Sequence, residues 1–399
     1  MTIRQTIYPA IRQSFISMAE YVEHLKLDMV YDLDDASLKE IAQTVPHLKA
    51  LEMRWCDMQE CRGGLRDCFN AMKDLEYLDI TAPGVTLFGN HTLPESAGVL
   101  CLQSVLRKYN NLSSDQPSLV KFPSNLKYLA LMGINDAEQI LTWVAEGCTN
   151  LNGLRLNCSM SYAGYIFQVI SEMKNLTYLA IPLTRIPRNV DLSFLGSLTH
   201  LRALEIHTLD EMVISSIIQY CFALEHLDIY DDRKGNVVIT TEMHSSLLRI
   251  ATISSLRSLS ISASSYSKEQ TTELVNQLST NRNLEYIEMK TTHGALEPEV
   301  LFELLRRCMN IQSVSLNYRW ADVYPHICQV VDEVGEQYEK LFQNAHPMVE
   351  IQCESLAIKK SKKAKKNWKS YKWLRFVPKI SPPAVLEKWQ YGSLSAGKP

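Results

Sequence analysis

The sequence predicts an α/β solenoid, a horseshoe of about twelve strand–helix repeats whose parallel strands line a concave sheet. Two observations predict it. LNGLRL, LTYLAI, LRALEI and LEHLDI begin at Leu151, Leu176, Leu201 and Leu224, at spacings of 25, 25 and 23 residues, long enough for one short strand and one helix each. The intervening helices also keep phase with the strands. With position zero set three residues before each first Leu, positions −8, −7, −4, −3 and 0 are Ile140, Leu141, Val144, Ala145 and Cys148 in one repeat and Tyr165, Ile166, Val169, Ile170 and Met173 in the next. They become Val213, Ile214, Ile217, Ile218 and Cys221, and later Val300, Leu301, Leu304, Leu305 and Cys308. An amphipathic stripe locked to the strand period is a stronger signal than leucine content.

In chain order, residues 1–21 form an N-terminal helical cap: Ile7, Ile11, Phe15 and Met18 have helical spacing, and the end of a solenoid must be covered. Residues 22–358 are the repeats. VEHLKL starts at Val22, LKALEM at Leu48, LEYLDI at Leu75 and LKYLAL at Leu126. After the opening quartet come LRSLSI at Leu256, LEYIEM at Leu284, IQSVSL at Ile311 and MVEIQC at Met348. Apolar first, fourth and sixth positions aim the last two side chains at one face of a strand and leave those between them on the other. The 51 residues from Leu75 to Leu126 are read as a helix near Glu95 to Lys108 between loops, because Gly, Pro, Ser and Asn crowd them; an unrecognised repeat is the alternative. DDRKGN, Asp231 to Asn236, reads as an exposed turn, and Ala321 to Asn344 as a longer helix.

The composition, 46% hydrophobic and 21% charged, is that of a folded chain, and no apolar run approaches a membrane span. Arg4, Pro9 and Arg12 interrupt any secretory signal, so the protein is expected inside the cell, in cytoplasm, nucleus or both, with ten cysteines as thiols. The net charge of −3 hides an asymmetry. From Lys359 onward there are 12 Lys or Arg against the single acid Glu387, leaving 29 basic and 43 acidic residues before it. The body is acidic and the end basic.

No residue pattern calls for a catalytic, cofactor or metal role. Cys148, Cys221 and Cys308 share position zero in three turns and read as small core residues. Cys56, Cys61 and Cys68 lack the paired His or Cys of a zinc site, and the histidines fall in no nucleophile–base arrangement. Phosphate loops and hydrolase or kinase signatures are missing from the sequence.

GCTNLNGLRL, YCFALEHLDI and RCMNIQSVSL, with Cys three residues before the strand, resemble the cysteine-containing subclass of leucine-rich repeats. DLDDASLKEIAQTVPHLKALEMRWC looks like a further copy with Val45 in place of that Cys. The subclass is typical of F-box leucine-rich-repeat proteins, although the residues before Val22 carry no recognisable F-box. The resemblance implies a solenoid that holds a protein, in the role of substrate-recognition subunit of a cullin-RING ubiquitin ligase and in contact with its adaptor.

The register puts positions +2, +4 and +6 from each first Leu on the concave surface. At +2 stand Tyr77, Tyr128, Tyr178, His226 and Tyr286; at +4 stand Glu52, Asp79, Arg155, Glu205, Asp228 and Glu288. A tyrosine column beside an acidic one suits a protein partner with a basic surface. Tyrosine also merely suits a strand, and acids keep a surface soluble. Glu205 and Asp228 should be near neighbours.

Residues 359–399 are a basic, aromatic-containing tail. Lys359, Lys360, Lys362, Lys363, Lys365 and Lys366 form a block followed by Trp368, Tyr371, Trp373 and Phe376. A solvated extension, a nuclear import signal, nucleic-acid binding and docking on the acidic body all remain open. The alternative function is therefore a nuclear nucleic-acid-associated scaffold.

Overall fold

The computed structural model describes residues 1–8, 12–13, 16–17, 21–45, 47–56, 68–69, 71–81, 96–103, 122–132, 137–157, 163–181, 192–207, 209–230, 239–262, 266–290, 298–308, 310–319, 349–354 and 374–378. The turn Asp231 to Asn236, the helix Ala321 to Asn344, Cys61 and the block Lys359 to Lys366 lie outside them. Two compact units divide the chain, Met1–Arg188 and Asn189–Pro399.

Unit 1 carries eight described strands: β1 Thr2–Ile7, β2 His24–Tyr31, β3 Ala50–Arg54, β4 Tyr77–Thr81, β5 Val99–Gln103, β6 Tyr128–Met132, β7 Gly153–Asn157 and β8 Tyr178–Ile181. Each pairs in parallel with the next. Helices α1 (Asp35–Thr44), α2 (Ala137–Gly147) and α3 (Ala163–Glu172) are the described crossovers.

Unit 2 carries β9 Ala203–Ile206, β10 His226–Tyr230, β11 Ser258–Ser262, β12 Tyr286–Lys290, β13 Ser313–Arg319, β14 Val349–Glu354 and β15 Leu374–Pro378, again parallel neighbour to neighbour. A 3₁₀ turn at Ser193–Ser197 precedes α4 (Glu211–Tyr220), α5 (Thr241–Ile250), α6 (Lys268–Leu278) and α7 (Pro298–Arg307). Parallel neighbours need a crossover between one strand and the next, which these helices supply.

All twelve signature segments fall on strands, and the backbone repeats with them. The first residue of a segment donates its N–H to the carbonyl at position zero: Leu75 to Met72 at 3.3 Å, Leu151 to Cys148 at 3.1 Å, Leu256 to Ile253 at 3.1 Å and Ile311 to Cys308 at 3.2 Å. The next two N–H groups share one carbonyl of the preceding repeat, as Asn152 and Gly153 share Lys127 O and Glu285 and Tyr286 share Arg257 O. These contacts fix register. The inward side chains complete it: Leu151, Leu154 and Leu156 are at most 2% exposed, as are Leu224, Leu227 and Ile229. Burying one such side chain contributes roughly 1.5–3 kcal/mol.

The helical stripe is buried at its central positions, with Leu141, Val144, Ile166, Ile170, Ile214, Ile217 and Leu304 at most 1% exposed. Tyr165 departs from it at 47% exposed, and its hydroxyl lies 3.0 Å from that of Thr142 on the preceding helix.

Position zero does more than fill space. The Cys148 thiol donates to Pro123 O (3.4 Å), the Cys308 thiol to Asn281 O (3.3 Å) and the Asn281 amide to Ile253 O (3.1 Å) and Leu256 O (3.2 Å). Pro123, Asn281 and Ile253 are themselves position-zero residues, so this side chain ties each of these turns to the one before. Burial pushes Cys148 and Cys308 up to about 11 and Cys221 up to about 12, keeping all three protonated.

Three segments differ from the sequence expectation. Val99–Gln103 is a strand and not part of a helix: Ala97, fully buried, takes the first position, and Leu100 and Leu102 point inward. At the N-terminus Thr2–Ile7 pairs with β2 before the chain turns helical at Tyr8, Arg12, Gln13, Ile16 and Ser17. In the basic region Leu374–Pro378 pairs with β14, so residues 359–399 contribute a strand.

Candidate functional site

On the sheet face opposite the inward leucines, the register aligns side chains in rows across the strands. In unit 1 the +2 row runs His24, Ala50, Tyr77, Val99, Tyr128, Gly153, Tyr178, and the +4 row Lys26, Glu52, Asp79, Cys101, Ala130, Arg155, Ala180. In unit 2 the corresponding rows are Ala203, His226, Ser258, Tyr286, Ser313 and Glu205, Asp228, Ser260, Glu288, Ser315. The register thus brings the expected residues onto shared rows.

Their burial corrects the expectation of an exposed tyrosine column. Tyr77, Tyr128, Tyr178 and Tyr286 are 2%, 6%, 2% and 5% exposed. Strands about 4.8 Å apart leave no gap between bulky neighbours, so the rings fold along the sheet over smaller ones. Tyr128 lies across Gly153 towards Tyr178, ring centroids 5.9 Å apart. Tyr286 instead donates its hydroxyl to Glu288 at 3.1 Å, and Ser260 donates to the same carboxylate oxygen at 3.2 Å. Burial, then Glu288 and Asp228, push the Tyr286 pKa up, so it stays a donor.

The acids divide between the units. In unit 1 Lys26 reaches Glu52 at 2.8 Å, and Arg54 reaches Asp79 at 2.7 Å and Glu52 at 3.3 Å. Lys26 and Arg54 escaped the sequence reading; the signal for Arg54 was its place at +6, diagonal to Asp79 at +4 in the next repeat. Burial raises the Asp79 pKa while the Arg54 hydrogen bond holds it down. Cys101, next in the row, is pushed up to about 12 by burial, which keeps it a thiol. Arg155 is half-buried between Ala130 and Ala180.

In unit 2 Glu205 and Asp228 pair in register, as expected. His207 Nε2 lies 2.7 Å from Glu205 Oε1 and its ring meets Tyr230 edge-on at 5.5 Å. Glu205 is buried, while His207, His226 and Asp228 are half-exposed and Tyr230 is exposed. The surface offered is therefore acidic and aromatic at the C-terminal ends of β9 and β10. Burial lowers the His226 pKa against the pull of Glu225, so the ring is neutral at physiological pH.

Among the described residues, no group of three or more His, Cys, Asp or Glu is placed to hold a metal ion, and no helix is long and apolar enough to cross a membrane. No family model matches the chain, and no curated protein matches it.

Proposed function

We propose that the chain is a non-catalytic protein-interaction module built of leucine-rich repeats, holding a partner with a basic surface on the outward side of β9 and β10 in unit 2. The observation that carries this reading is the cluster at β9 and β10: Asp228 half-exposed beside Glu205 in register, with His207 and the exposed Tyr230 around them. Rigid strands present these groups in fixed geometry, and an aromatic next to carboxylates is suited to a Lys or Arg side chain.

Affinity purification of the full chain followed by mass spectrometry tests the reading. The Asp228→Lys variant is expected to lose the principal partner. Adaptor and cullin subunits among the recovered proteins would favour substrate recognition for a ubiquitin ligase; ribonucleoproteins would favour the nuclear scaffold. Recovery of the same partners by wild type and Asp228→Lys would remove this face as the binding surface.

A further inference from the structure

Two consecutive repeats of unit 1 break their strand alternation at the same place. Met29 and Trp55, each seven residues after its repeat's first position, both have φ of 55°. After Leu27 and Met53 on the inward side, alternation would send Met29 and Trp55 inward as well. Instead the chain slips by one residue. Val30 and Cys56 take the inward places at 0% and 1% exposed, leaving Met29 37% and Trp55 53% exposed. A side chain at positive φ crowds its own backbone, which makes a bulky residue there uncommon.

Cys56 holds the two slips side by side. Its thiol lies 3.5 Å from Leu27 O and 3.6 Å from Arg54 O, so it bridges the two strands where they slip. Trp55 N–H donates to Thr81 O at 2.6 Å, fixing the far side. Asp28 opposes Arg54 in the register, so the residues that follow them leave adjacent strands together. Tyr31, 46% exposed, ends β2 two residues after Met29, with the inward Val30 between them. Core packing does not account for this surface, because Val30 and Cys56 already supply the core.

The rim is acidic. Asp32, itself at φ 57°, and Asp34 are exposed, and Asp28 is half-buried. The hydrogen bond from Ser37 holds Asp34 below the ordinary carboxylate range, so it stays charged. Arg54, opposite Asp28 in the register, is turned to Glu52 and Asp79.

We propose that Met29, Tyr31 and Trp55 form an apolar ledge that docks a partner peptide carrying an apolar side chain flanked by Lys or Arg. Exposed Met, Tyr and Trp supply the contact and the exposed Asp32 and Asp34 select the charge. The ledge belongs to unit 1 and does not depend on the acidic face of unit 2.

The probe is a phage-displayed library of random dodecapeptides, selected on the full chain and counter-selected on Trp55→Gly, which keeps the positive φ accessible. Selected peptides are expected to share an apolar residue between basic ones. In fluorescence polarisation they should weaken at least about tenfold on Trp55→Gly and several-fold on Asp32→Lys, and be unchanged on Asp228→Lys. Melting curves of Trp55→Gly that match wild type assign the loss to the ledge. Failure to enrich peptides over the Trp55→Gly background, or enrichment of acidic ones, would overturn the ledge. Binding lost on Asp228→Lys but kept on Trp55→Gly would overturn it too while leaving the proposed face of unit 2 intact.

Discussion

Tyr128 and Tyr178 face each other at 5.9 Å across an intervening strand, because Gly153 between them has no side chain. A Cβ at position 153 would stand 2.5 Å from Tyr128 Cδ2. The ring cannot swing clear, being 6% exposed and packed on Tyr178. Gly153→Ala is therefore expected to destabilise unit 1 by about 1–3 kcal/mol, more than the ~0.5 kcal/mol gained from a stiffer unfolded chain. Urea denaturation measures this. The Tyr128→Leu background should abolish most of the loss. Gly196→Ala is the comparator: its Cβ meets Tyr220 at 2.9 Å, but Tyr220 is half-exposed and yields, so a smaller loss is expected.

Asn281 occupies the place held elsewhere by Cys148, Cys221 and Cys308, and its amide serves two carbonyls of the preceding repeat. Asn281→Ala leaves Ile253 O and Leu256 O buried without those donors, at a cost of about 2–3 kcal/mol. Asn281→Cys should recover about half, since the Cys308 thiol makes the equivalent bond to Asn281 O. Thermal melts of the three proteins give the order wild type, Cys, Ala. Equal melting of the Ala and Cys variants would show that the position requires only volume.

What the sequence revealed and what it hid follow from the same cause. Periodicity reports inward side chains, which obey one repeating constraint, and so the strands from Val22 to Met348 and the helical stripe were legible. Ala97 obeys that constraint with a smaller side chain, and AGVLCL passed for part of a helix. Thr2–Ile7 carries the β-branched residues of a strand but no leucine phase. Outward residues answer to neighbours on other strands. The burial of Tyr178, the capture of Asp79 by Arg54 and the contact of His207 with Glu205 depend on register across repeats, which no single segment displays. The slips at Met29 and Trp55 are backbone events, and only the inward Val30 and Cys56 hinted at them.

His226 provides a pH prediction. Burial depresses its folded-state pKa, with Arg257 acting the same way and Glu225 and Glu285 opposing. The unfolded chain, with a pKa near 6.5, then binds the proton more readily than the folded one. Stability is fully present above that value and is lost as pH falls from it through the folded pKa. His226→Gln should flatten this part of the stability profile between about pH 7.5 and 5, read from urea midpoints. NMR titration of the imidazole checks the sign: a folded pKa above the unfolded value would overturn the account.

The positive φ at Trp55 makes a prediction separable from any binding. A residue with Cβ in left-handed backbone costs about 1–2 kcal/mol relative to glycine, and a β-branched one costs more. Cys56, buried and hydrogen-bonded to Leu27 O, keeps the slip in place whatever stands at position 55. Trp55→Gly should therefore lose little stability, because relief of strain offsets the contacts of a side chain already half in solvent. Trp55→Val removes the same ring without that relief and should be the less stable of the two by about 1–2 kcal/mol. Urea midpoints of the pair measure the difference. If Val and Gly behave alike, the backbone has escaped the left-handed region, and Cys56 is not what holds it there.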